Sequence, residues 1–193
     1  MKSDSVSKLR THVLIFLIFF FWVIILRVFV FQVFLVTGNS MLPTLRNGDL
    51  VLVSKIGFPV SSEFFPWEFI YSKPILERLD ILIFEDQENE LNLKRVVGMP
   101  GEYYEINYGK VMIDSRILEE NYVSKGQETS QPDNKLFYKF PNSPFLEMQS
   151  KGRIPPNYFL LLGDNRENST DSRSMGLVPL HKLRGKVIAY YRL

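Results

Sequence analysis

Fourteen consecutive apolar residues, Val13 to Leu26 (VLIFLIFFFWVIIL), constrain this chain more than any other feature. Every face of a helix built from them is greasy, and a protein of 193 residues could hardly cover all faces at once. Arg27 interrupts the run and VFVF follows. A helix from Val13 to Phe31 reaches about 28 Å, close to the ~30 Å hydrocarbon thickness of a bilayer. Arg27 would snorkel to the headgroups. The expectation is one transmembrane helix over 13–31, with the lipid bilayer as its partner. Lys2, Lys8 and Arg10 precede it, which places residues 1–12 in the cytoplasm and 32–193 beyond the membrane. No Ala-x-Ala follows the run, so the segment reads as an uncleaved anchor rather than a removable leader.

Beyond the anchor the pattern changes. Phe29–Val36, Asp49–Ser54, Asp80–Phe84 and Leu91–Val97 are short and rich in β-branched or aromatic residues. Tyr158–Leu162 and Lys186–Tyr191 continue the series, and a hairpin is expected around Tyr108-Gly109. No amphipathic helical window stands out after residue 31. The predicted fold is mostly β, made of short antiparallel strands, with a small cap or insertion over about 103–156. The aromatic stretch Phe58 to Tyr71 reads equally as core or as a rim dipping into lipid.

Composition excludes several chemistries. There is no cysteine, hence no disulfide and no thiolate nucleophile or ligand. The formal net charge of +2 gives no nucleic-acid footprint. There are two histidines. His12 sits on the cytoplasmic side of the expected span, and His181 lies in no recognisable triad context, so histidine-based nucleophilic catalysis is set aside. No HExxH or phosphate-loop pattern occurs, and no metal or cofactor is expected.

A serine with a lysine base remains. Such a lysine must be neutral near pH 7 although its free pKa is about 10.4, which requires an apolar, desolvating pocket. Lys94, bracketed by apolar residues in LNLKRVV, has that setting, and on a strand Arg95 would face the other way. Ser40 lies in the small polar stretch TGNSMLPT just past the anchor. Taken alone, Lys94 reads as a solvated lysine and Ser40 as a turn residue.

Three stretches in order change that balance: TGNSMLPTL (Thr37–Leu45), LKRVVGMPGE (Leu93–Glu102) and GDNRENSTDSRSMG (Gly163–Gly176). With the single span before them they resemble the type I signal peptidases, or leader peptidases, from the anchor to about Pro179. The resemblance implies a membrane-bound serine endopeptidase that removes signal peptides from exported preproteins at Ala-x-Ala sites, its catalytic domain outside the cytoplasm. It implies Ser40 as nucleophile, Lys94 as general base, Ser169 as the hydroxyl that orients the lysine, and Asp171 with Arg173 as a pair bracing the third motif. Gly163, Asp164 and Asn165 match the turn that positions this motif. Gly38 occupies the place where some members carry a hydroxyl that assists the oxyanion hole, and Glu102 stands where Asp is more usual. Phe34, Val36, Met41, Ile83 and Leu93 are implied pocket walls, with ordinary core packing as their other reading. An organelle inner-membrane peptidase of the same family and an inactive signal-peptide-binding homologue are the alternatives.

Overall fold

The computed structural model describes residues 2–62, 65–69, 74–140 and 142–192, with side chains described over 10–24, 27, 30–59, 74–140 and 142–192. The chain opens with helix α1 (Lys2–Phe29). Among the described residues thirteen strands follow: β1 (Phe31–Leu35), β2 (Leu50–Ser54), β3 (Val60–Ser62), β4 (Phe65–Phe69), β5 (Ile81–Glu85), β6 (Leu91–Gly98), β7 (Tyr103–Asn107), β8 (Lys110–Ile113), β9 (Arg116–Ile117), β10 (Lys151–Arg153), β11 (Tyr158–Leu162), β12 (Val178–Pro179) and β13 (Leu183–Tyr191). Two short helices, α2 (Lys135–Lys139) and α3 (Ser172–Met175), interrupt the later strands.

The helix carries the apolar run but not with the expected bounds. It begins well before Val13 and stops at Phe29, and Phe31 opens β1 instead of ending a span. Its described large apolar side chains, Val13 to Ile24, are 43–65% exposed. Among the described residues no helix is long and apolar enough to cross a membrane.

The β domain is antiparallel, as expected. Its larger sheet has the order β1-β2-β13-β5-β6-β11-β12, and a smaller sheet the order β10-β7-β8-β9. The smaller sheet falls within the expected cap region. It packs on the larger one, because Tyr104, Ile106, Val111 and Ile113 share a buried cluster with Val97, Leu160 and Leu162. A second cluster joins Phe84, Val96, Phe145, Leu161 and Leu183. A third, Val36, Met41, Leu45, Val51, Val53 and Ile83, lies directly beneath the Thr37–Leu45 turn. Phe58 is core. The side chains of the aromatic stretch from Val60 to Tyr71 lie outside the described residues.

Candidate active site

Lys94 owes its position to strand alternation. On β6 it pairs with Leu82 of β5, and Leu93 pairs with Ile83. Its side chain points to one face and that of Arg95 to the other. Lys94 is 2% exposed, and its Nζ lies 3.1 Å from Ser40 Oγ. Burial lowers its pKa to about 8, against the upward pull of Asp171, Asp86 and Asp164. An ammonium with no carboxylate bonded to it is costly in such a place, so the neutral amine gains weight near neutral pH.

Ser40 sits in a tight turn anchored by its apolar neighbours. Met41 and Leu45 are buried in the cluster below, and the Leu45 N–H donates to the Met41 carbonyl at 2.9 Å. Gly38 has φ +87°, the left-handed region that a side chain resists, so glycine is needed here for the chain path. Its N–H donates to Asn47 Oδ1 at 3.2 Å.

The third motif holds the first two together. Asn165 N–H donates to the Ser40 carbonyl at 3.0 Å, and Asn165 Nδ2 to the Asn39 carbonyl at 3.1 Å. Asp164, fully buried, accepts from Arg95 Nε at 2.8 Å and Nη2 at 2.5 Å, and from Thr44 Oγ1 at 2.5 Å. One carboxylate thus ties all three motifs. Asp171 pairs with Arg173 through both carboxylate oxygens, at 2.9 and 2.8 Å, and also accepts the Gly163 N–H at 3.0 Å. It caps α3 by accepting the Arg173 N–H.

Ser169 departs from expectation. Its Oγ is buried and makes no hydrogen bond, so the implied bond to Lys94 is not formed in this structure. The hydroxyl is crowded against Gly163: a Cβ there would lie 2.1 Å from Ser169 Oγ and 2.6 Å from the Ser40 carbonyl oxygen. Only a residue without a side chain lets the third motif pass this close to the Ser40 turn.

A cleft of about 180 Å³ opens beside Ser40, and Phe34, Val36, Met41, Ile83 and Leu93 all line it. Val36, Met41 and Ile83 are only 2–3% exposed, so they belong to the core and offer the cleft their edges. These residues thus line the cleft while packing in or against the core. His181 is exposed, on the 3-10 turn after β12. Among the described residues no cluster of His, Asp or Glu has the arrangement to hold a metal.

The sequence reading missed a buried group from the cap. Arg166, 3% exposed, pairs with Glu120 and bonds Thr129 Oγ1 and the Gly163 carbonyl. The guanidinium groups of Arg95 and Arg166 both lie over the Tyr122 ring, at 4.2 and 6.0 Å from its centroid. Arg166 lies within a quoted motif and was visible. Glu120 and Tyr122 lie in an unpatterned loop where no sequence signal marks them.

Comparison with known proteins bears on the whole chain. The family model described as signal peptidase, peptidase S26, matches residues 9–192. A signal peptidase I from Bacillus caldolyticus is 32% identical over 84% of this chain and 80% of its own length. One from Leptolyngbya laminosa is 32% identical over 86% and 71%. A signal peptidase IB from Staphylococcus aureus is 28% identical over 97% and 89%. A solved signal peptidase I from Enterococcus faecalis V583 aligns with a TM-score of 0.45 at 30% identity, covering 59% of this chain and 97% of that one. By the extent of the family match and the identity to the Bacillus enzyme, this chain belongs to the peptidase S26 family of signal peptidases.

Proposed function

We propose that this protein is a membrane-anchored serine endopeptidase that removes N-terminal signal peptides from exported preproteins, with Ser40 as nucleophile and Lys94 as general base. The observation that carries the reading is a buried lysine, lowered to about 8, with its Nζ 3.1 Å from a serine hydroxyl at the edge of an apolar cleft. Ser40 Oγ attacks the scissile carbonyl carbon while its proton passes to the neutral Lys94 amine. The Ser40 N–H faces the developing oxyanion. Lys94 returns the proton to the departing amine as the C–N bond breaks. A water then attacks the acyl carbon, giving its proton to Lys94, which passes it to Ser40 Oγ as the ester bond breaks and the acid is released.

The substrate follows from the cleft and the family. Shallow walls of Phe34, Val36, Met41, Ile83 and Leu93 suit the small side chains of an Ala-x-Ala site. The catalytic domain comprises 32–193 with its cap over about 103–156. The apolar part of α1, from Val13 onward, serves as the lipid anchor, with residues 1–12 cytoplasmic and the catalytic domain on the opposite side. The exposed apolar side chains of Val13 to Ile24 support this, since lipid would cover what the protein leaves bare. The chemistry needs no metal or cofactor.

The test is cleavage of an Ala-x-Ala preprotein by the detergent-purified chain beside Ser40→Ala and Lys94→Ala. Each variant is expected to lose about 10³-fold or more in kcat, because members of one catalytic unit fail together. Near-normal activity of Lys94→Ala would remove it as the base.

A further inference from the structure

We infer that Gln127, in the cap, is a positioning residue for the nucleophile turn, acting through the Asn165 side-chain amide. This rests on the reading of Ser40 as the nucleophile. A Gln or Asn side chain has a donor end and an acceptor end of nearly the same shape, so only its partners decide which way it points. Here one partner cannot reverse. The backbone N–H of Arg166 can only donate, and it donates to Gln127 Oε1 at 3.0 Å. That turns Gln127 Nε2 toward Asn165 Oδ1, to which it donates at 3.0 Å. Asn165 is thereby turned so that Nδ2 faces the Asn39 carbonyl, at 3.1 Å. Its backbone N–H holds the next carbonyl, that of Ser40, at 3.0 Å. The polarity runs one way, from the third motif through the cap and back to the two residues that carry the nucleophile.

Gln127 is itself held in place. The cap loop around it is stapled to the smaller sheet by Leu118 N–H to the Val111 carbonyl (2.9 Å), Thr129 N–H to the Gly109 carbonyl (2.9 Å) and Gln131 Nε2 to the Ile106 carbonyl (2.7 Å). Glu120 and Thr129 from the same loop grip the Arg166 guanidinium, and Ser130 accepts from Arg173 Nη1 at 3.0 Å. The cap is therefore more than a cover. It fixes the direction of an amide two residues from the Gly163 contact with Ser40, and a nucleophile misplaced by a fraction of an ångström loses rate without losing substrate affinity.

An isosteric change gives the sharpest test. Gln127→Glu keeps the shape and still accepts from Arg166, but it cannot donate to Asn165. The Asn165 amide then reverses and presents Oδ1 to the Asn39 carbonyl, two acceptors face to face. With the full chain in detergent and an Ala-x-Ala preprotein, Gln127→Glu is expected to lower kcat about tenfold, at least as much as Gln127→Ala, with KM within about twofold of the parent. The pH profile keeps its midpoint, because Lys94 is not touched. In an Asn165→Ala background the Gln127→Glu substitution has no further effect. Parent-like kcat in Gln127→Glu, or losses that multiply in the double variant, would overturn the inference. Hydrogen exchange of the 163–168 segment, which needs no substrate, is read in parallel and should quicken in Gln127→Glu. If the parent cuts no preprotein, the proposed function fails, and unchanged exchange in that segment would still sink the amide relay on its own.

Discussion

At the scale of single residues, two positions carry the sharpest expectations. Lys94 must be neutral to accept a proton, and its pKa lies at about 8. Activity should therefore rise with pH, close to tenfold per unit below that value, and level off above it. The measurement is kcat/KM between pH 6 and 10; a flat profile would mean that another group takes the proton. Gly163 is the second. A methyl at this position meets backbone oxygen of Ser40 as well as the Ser169 side chain, and the backbone cannot swing away as a flexible side chain would. Gly163→Ala should lower stability by about 1–3 kcal/mol in urea and cut kcat, since relief requires the Ser40 turn to move.

At the scale of elements, the Arg95–Asp164 pair joins β6 to the third motif and, through Thr44, to the first. Arg95 is 8% exposed and Asp164 fully buried. Removing one partner strands the other charge, so Arg95→Ala should cost about 3–5 kcal/mol in denaturant unfolding. Phe84 on β5 is fully buried among Val96, Leu161 and Leu183. Phe84→Ala should cost a similar ~3–5 kcal/mol but leave the Ser40–Lys94 geometry in place. The strands were legible because apolar alternation is local: Tyr158–Leu162 is observed with the expected bounds, and Leu91–Gly98 within one residue. β13 begins at Leu183 rather than Lys186, since its first residues earn strand geometry by pairing with β5 across an irregular register. Helix α3, four residues of polar character capped by Asp171, could not be read from periodicity because it spans barely one turn.

At the scale of the molecule, no described residue of α1 enters the three buried clusters, so the β domain holds together without it. A chain lacking residues 2–29 should keep its urea midpoint and lose association with lipid vesicles; flotation with and without vesicles reads the difference. The sequence by itself determined the apolar helix, most strand positions, and the family through three ordered motifs, because each of these is written in neighbouring residues. It also marked Ser40 and Lys94 as candidates, though 54 positions separate them. Only the tertiary structure decided that they meet, that one buried carboxylate, Asp164, binds all three motifs, and that Glu120, Tyr122 and Gln127 reach the site from the cap. The reason is physical: a lysine's pKa, a carboxylate's partners and an amide's direction are set by what surrounds them in space, and those neighbours come from distant parts of the chain.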